Sequence, residues 1–96
     1  MPGTVNDEMR RAMLVYVTPT YPTYASASLN DLAYRYYEMK TVQVGLGLPL
    51  ASLQRTYWNA ATSDSINDAE RKFYITNGGD PAKSTNDLEL AYWTTQ

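Results

Sequence analysis

The groups in this chain that could do chemistry are carboxylates, hydroxyls and phenols. Asp64 and Asp68 stand four residues apart, a spacing that would place them on one face of a helix. Paired carboxylates can share acid and base roles when a third group tunes them. Here no supporting His, Lys or Cys accompanies the pair. The chain has no His and no Cys, which removes the commonest general base, the commonest metal ligand and any disulfide or thiolate site. The run Asp64-Ser65-Ile66-Asn67-Asp68 lacks the Gly and closing Glu of an EF-hand loop. Ser28, Ser65 and Ser84 have no nucleophile elbow around them, and Gly45 and Gly47 lack the spacing and following basic residue of a phosphate loop. The reading is of a chain without catalytic, cofactor-binding or metal-binding residues, hence not an enzyme.

The same residues make better sense as helix starts. Ser65 is a good N-cap, because its hydroxyl can accept from an N–H left free in the first turn. Asp68 occupies the capping-box position, where a carboxylate can reach back to the Ser65 N–H. Ser/Thr-x-Asn-Asp occurs four times, at Thr4–Asp7, Ser28–Asp31, Ser65–Asp68 and Ser84–Asp87. This nominates Thr4, Ser28, Ser65, Ser84, Asp7, Asp31, Asp68 and Asp87 as cap residues. Pro49-Leu50-Ala51-Ser52 is a degenerate fifth copy. Five and six residues after the Asp, or its equivalent, come Ala12-Met13, Tyr36-Tyr37, Tyr57-Trp58, Phe73-Tyr74 and Tyr92-Trp93. The position just after the Asp is Leu32, Leu53, Ala69 or Leu88 in the later copies. The copies start at residues 4, 28, 49, 65 and 84, an irregular repeat at the short end of known periods.

These starts predict an all-α chain, residues 1–96 as one unit, built as an irregular array of about five short helices joined by Pro- and Gly-containing extended linkers. After a lead at 1–3, the helical repeats fall near 4–17, 28–42, 49–60, 65–76 and 84–94. In the first, Met9, Ala12, Met13 and Tyr16 share a face. In the second, Leu29, Leu32, Ala33, Tyr36, Tyr37 and Lys40 form a stripe, with Arg35 and Glu38 expected outside. In the last, Leu88, Ala91 and Tyr92 lie on one side, with Leu90 and Trp93 on another. Pro19 and Pro22 fix φ and push Thr18 and Tyr21 toward extended geometry, so 18–27 reads as an extended, partly polyproline linker. Val42-Gln43-Val44-Gly45-Leu46-Gly47-Leu48 alternates like a short strand. With no partner strand of similar quality in the chain, it could pair with another protein or serve as an extended connector. Asn77-Gly78-Gly79 supplies a left-handed stop.

Nine Tyr and two Trp accompany a single Phe. Such side chains have an apolar body and a polar tip, and they concentrate at interfaces. Ordering a ten-residue helix costs about 15 kcal/mol. Two aromatics burying about 200 Å² each return about 10 kcal/mol, a Leu about 2 and a cap about 1. Each unit therefore has to bury its stripe against something. The unequal linkers argue against a regular solenoid and favour an array draped over a larger protein. The other outcome is a compact five-helix domain whose aromatics form its own core. On the draped reading, Tyr36, Tyr37, Tyr57, Trp58, Phe73, Tyr74, Tyr92 and Trp93 bind the partner, and the first and third units, which depart from the pattern, contact something different.

Net charge is −2 with mixed signs and no basic patch, which disfavours nucleic acid as a partner. No apolar run approaches the roughly 18 residues of a membrane span. The N-terminal stretch lacks a basic start and an apolar h-region, so a chain made inside the cell without its own secretion route is expected.

The recurring capped helices with paired aromatics, as in Ser28-Leu29-Asn30-Asp31-Leu32 to Tyr36-Tyr37 and Ser84-Thr85-Asn86-Asp87-Leu88 to Tyr92-Trp93, resemble small virion proteins of tailed bacteriophages that infect actinobacteria. The resemblance implies a non-enzymatic virion structural protein: a capsid accessory or decoration protein, or a minor tail component. It would bind a larger capsid or tail protein and self-associate, and it would reside in the virion after assembly in the host cytoplasm. The alternative is a small phage-encoded regulatory or nucleic-acid-binding helical protein.

Overall fold

A computed structural model of the chain describes residues 3–96. Met1 and Pro2 of the lead lie outside the described residues. Each predicted cap forms. The side-chain oxygens of Thr4, Ser28, Ser65 and Ser84 accept from the backbone N–H of Asp7, Asp31, Asp68 and Asp87 at 3.2, 3.1, 3.1 and 3.2 Å. The reciprocal bond from carboxylate to cap N–H is made at Thr4, where Asp7 Oδ2 accepts at 3.3 Å. It is not formed at the three serine caps. From these starts run α1 (Val5–Val17), α2 (Leu29–Thr41), α4 (Ile66–Thr76) and α5 (Thr85–Thr94), while α3 (Leu50–Tyr57) begins after Pro49 without a side-chain cap. The all-α reading holds among the described residues.

The helices close on one another in chain order. α1 packs on α2, α2 on α3, α3 on α4, α4 on α5, and α5 returns to α1. The result is a closed ring in a flat body, 39 × 37 × 17 Å. The repeats therefore bury their stripes against each other at a common centre, and the draped array is corrected to a self-contained domain. The first and third units share this centre: Met13 and Leu53 are fully buried, and Ala12 and Trp58 nearly so.

Two connections differ from expectation. Within 18–27, residues Pro22–Ser26 form a 3-10 turn. Pro22 fixes φ at its first position, and the Tyr24 and Ala27 N–H groups bond Tyr21 O and Tyr24 O at 3.1 Å each. Residues 42–48 make no strand. They begin in a helix stop, because Val42 adopts left-handed geometry (φ 57°).

Three helices end in the same hydrogen-bonded stop. After α2, Gln43 N–H bonds Glu38 O at 2.8 Å and Val42 N–H bonds Met39 O at 3.2 Å. After α3, Ala60 bonds Arg55 O at 2.9 Å and Asn59 bonds Thr56 O at 3.2 Å. After α4, Gly79 bonds Tyr74 O at 2.9 Å and Gly78 bonds Ile75 O at 3.1 Å. All three are Schellman motifs, with the left-handed place taken by Val42, Asn59 and Gly78. Gly78 and Asn59 suit it. A β-branched Val does not, because its Cβ crowds the following carbonyl. Val42→Gly is expected to raise stability by about 0.5–1 kcal/mol, the relief of that crowding outweighing the entropy of Gly. Gly78→Ala should lower it by about 1 kcal/mol. Urea unfolding of the two variants checks both signs.

Candidate functional site

The eight aromatics read as partner-binding are the hub of the ring. Tyr36, Tyr37, Trp58, Tyr74 and Trp93 are buried, and Tyr57, Phe73 and Tyr92 are half-buried against the same cluster. Six of their centroids form a circuit that closes between Tyr36 and Tyr37 at 5.2 Å. Tyr37 meets Tyr57 at 5.7 Å, Tyr57 meets Phe73 at 5.1 Å, Phe73 meets Tyr92 at 5.4 Å, Tyr92 meets Trp93 at 5.1 Å, and Trp93 returns to Tyr36 at 5.6 Å. Most of these contacts are edge-to-face, the arrangement aromatic quadrupoles favour. Burial by the chain itself removes Tyr36, Tyr37, Trp58, Tyr74 and Trp93 as a surface for a partner and leaves Tyr57, Phe73 and Tyr92 partly covered. In α5 the two expected faces merge: Leu88 and Trp93 are buried, and Ala91 is exposed.

The polar tips find partners inside. Tyr74 Oη donates to Glu70 Oε2 at 2.7 Å, and Trp93 Nε1 donates to Tyr74 Oη at 3.3 Å. The Tyr57 and Tyr92 hydroxyls meet at 3.4 Å. Desolvation pushes Tyr36, Tyr37, Tyr74 and Tyr92 above the ordinary phenol value, with added repulsion from Tyr57 at Tyr36 and from Glu70 at Tyr37 and Tyr74. Since the folded values are raised, the stability these groups contribute is complete below about pH 10, the unfolded value, and falls as pH rises beyond it.

All five arginines, missed as a group by the sequence reading, act as clamps. Arg10 donates to Ala27 O at 3.0 Å, Arg55 to Asp64 O and Ala61 O at 2.8 Å each, and Arg71 to Pro81 O at 2.9 Å. Each of these ties its helix to the connection that leads into the next. Arg11 donates to Trp93 O at 2.8 Å, placing a cation at the C-terminal end of α5 and fastening the closure of the ring. Arg35 donates to Tyr24 Oη at 3.2 and 3.0 Å and lies 4.4 Å from the Tyr21 ring centroid. The signal was available: an Arg stands three or four residues after the Asp, or its equivalent, in the first four repeats. The carboxylates weighed for acid–base chemistry are similarly occupied. Asp64 Oδ1 holds Lys72 Nζ at 2.8 Å, and its Oδ2 accepts from Ala61 N–H at 3.1 Å.

Large apolar side chains stay exposed in two places, Val15 (66%) and Tyr16 (40%) on α1 and the connection between α2 and α3. Val42 is 89% exposed, Leu46 65% and Val44 39%. Gly45 and Gly47 take positive φ of 82° and 69°, with open space where a Cβ would stand. The loop is pinned from beneath. Glu38, expected outside, is buried; its Oε2 accepts from Gly45 N–H at 3.2 Å, and its Oε1 lies 3.6 Å from Arg35 Nη1. Tyr34 Oη donates to Leu48 O at the far end. A buried carboxylate thus holds a loop whose outward side chains are apolar. Neither feature is visible in an alternating Val-x-Val-x-Leu string, which reads equally as strand.

Two outcomes follow. Glu38→Ala should cost about 3 kcal/mol, because Arg35 loses its ionic partner and the Gly45 N–H its acceptor. Amide exchange within 42–48 should accelerate more than in α5. Above pH 10, unfolding and phenolate absorbance should rise together in one cooperative step, whereas independent tyrosine titration would show a broad rise with the fold intact. Compared with models of known protein families, with curated proteins and with solved structures, the chain matches none.

Proposed function

We propose that this chain is a non-enzymatic structural protein of a bacteriophage virion, a capsid accessory or minor tail component, and that it docks on a larger virion protein through the apolar loop 42–47. The observation that carries the docking surface is the loop itself: Val42, Val44 and Leu46 face outward from a backbone staked by Glu38 and Tyr34. Backbone strain held in place by surrounding structure gathers at functional positions, and Val42 is the β-branched residue in left-handed geometry. Exposed apolar side chains on a rigid support present contact area at little ordering cost on binding. Burying each would contribute about 1.5–3 kcal/mol, a modest sum that repeated sites on a shell or tail multiply through avidity. The virion setting rests on the resemblance of the capped repeats. The flat body, 17 Å thick, suits a part that lies on a larger surface. The arginine clamps weigh against the nucleic-acid-binding alternative, since their guanidinium groups are spent on backbone carbonyls and on Tyr24.

The double variant Val42→Asp with Leu46→Asp tests the surface. Asp tolerates left-handed geometry better than Val, and both positions are exposed, so stability should change by less than about 1 kcal/mol. Incorporation into purified particles, measured as copies per particle by quantitative mass spectrometry, should fall at least about tenfold, the factor set by 1.4 kcal/mol. Unchanged incorporation of a normally folded variant would overturn the docking surface. Failure of the wild-type chain to enter particles would overturn the virion setting itself.

A further inference from the structure

Lys40 is the charged member of the α2 stripe. Its ammonium lies 4.2 Å from the Tyr16 ring centroid and 5.5 Å from that of Tyr36. The two rings, one from α1 and one from α2, meet edge-to-face at 5.3 Å. Beside them is a groove of about 290 Å³, lined further by Ala12 and Val15 of α1 and by Gln96 beyond the end of α5. Aromatic faces attract a cation without neutralising it, and an ammonium has three donors to satisfy. The arginines and Lys72 are committed to backbone carbonyls, to Tyr24 and to Asp64. No carboxylate of the described residues pairs with Lys40. The groove therefore presents one positive charge, held in place by two rings, next to an apolar wall in which Val15 is exposed.

We propose that this groove docks an acidic peptide segment of a partner protein, one in which Glu or Asp stands beside an apolar residue. The carboxylate pairs with the Lys40 ammonium, and the apolar side chain covers Ala12 and Val15. Charge complementarity selects a carboxylate, because a phosphate-bearing ligand calls for more cations than the one here. The volume of about 290 Å³ stands at the lower limit of pockets that enclose a small molecule. A peptide needs less enclosure, since it gains contact area beyond the groove, along the exposed side of α1 at Val15. The site is separate from loop 42–47 and does not rest on the virion setting. Glu38 and Tyr34, which hold that loop, are each offset by two residues from Lys40 and Tyr36, about 200° around α2. The two surfaces lie on opposite sides of that helix.

Lys40 also stands in the last turn of α2, where a cation suits the helix dipole. That role, and its contact with the two rings, would show in stability. Recognition of a carboxylate shows in binding, and it depends on the charge of the ligand as well as on that of Lys40.

NMR titration of the intact, isotope-labelled chain with the end-blocked peptide Gly-Leu-Glu-Leu-Gly tests this. The Val15 methyls, the Tyr16 ring and the Lys40 side-chain resonances should shift together and saturate, with an affinity in the millimolar range. The same peptide with Gln in place of Glu should bind about fivefold more weakly, the upper range for an exposed charge pair. Lys40→Met keeps the stem over the rings and removes the charge, so it should lose a similar factor for the Glu peptide and nothing for the Gln peptide. Val15→Asp, at an exposed position, sets a like charge in the apolar wall and should weaken the Glu peptide by at least about fivefold. No saturable shift at Val15 and Lys40 would overturn the site. Equal binding of the two peptides, or of wild type and both variants, would overturn recognition of the carboxylate. Hexanoate binding as tightly as the Glu peptide would make a small acid the occupant, and the same shifts on concentrating the chain alone would make it a second copy; either result overturns the peptide.

Discussion

Everything in this molecule depends on bringing pairs of aromatic rings from separate short helices to one centre. A helix of eight to thirteen residues is marginal alone, and here each depends on its neighbours for an apolar surface. The ring solves this within the chain. Two helices flank each helix, and the aromatic circuit from Tyr37 through Tyr57, Phe73, Tyr92 and Trp93 to Tyr36 makes their burial mutual. The body is thin, so no aromatic tip lies far from the surface. That explains the preference for Tyr over Phe: a ring can fill the hub while its hydroxyl reaches Glu70, a second phenol or the rim.

Mutual burial leaves the connections unspecified, and the arginines supply that specification. The connections differ in length and sequence, yet a guanidinium from the preceding helix reaches a backbone carbonyl in the segment after α1, α3 and α4. Arg35 holds the first connection from the other side, through Tyr24. Arg is suited to this, because its several donors can bridge two acceptors at fixed geometry. The one connection organised differently is 42–48, where a buried carboxylate takes the place of a guanidinium and the loop turns apolar residues outward. That change of chemistry at one rim position, together with strain at Val42, sets this face of the ring apart from the others.

Much of the fold was legible in the sequence, because its signals are local. The caps at Thr4, Ser28, Ser65 and Ser84 and the stop at Gly78 follow from backbone rules that act within a few residues. The core positions Leu32, Leu53, Ala69 and Leu88 followed from the repeat. The closure of the ring was not legible. Spacing shows that Phe73-Tyr74 forms an apolar stripe, but a stripe is the same whether a partner or another part of the chain covers it. The 3-10 turn at Pro22–Ser26 and the stop at Val42 were missed for a different reason: tertiary contacts there override residue preference, through Arg35 on Tyr24 and Glu38 on Gly45. The burial of Glu38 followed from the same loop geometry, and its charge alone pointed the other way.

The central claim is that the aromatic pairs serve one another, so the isolated chain folds by itself. The most direct measurement is thermal unfolding of the purified chain alone, followed by near-ultraviolet and far-ultraviolet circular dichroism together, with its mass in solution measured by sedimentation. A closed ring predicts a strong near-ultraviolet aromatic signal that disappears in the same cooperative transition as the helical signal, independently of protein concentration, from a monomer. Helical signal without fixed aromatic signal, or a gradual melt that sharpens only when a partner is added, would contradict it.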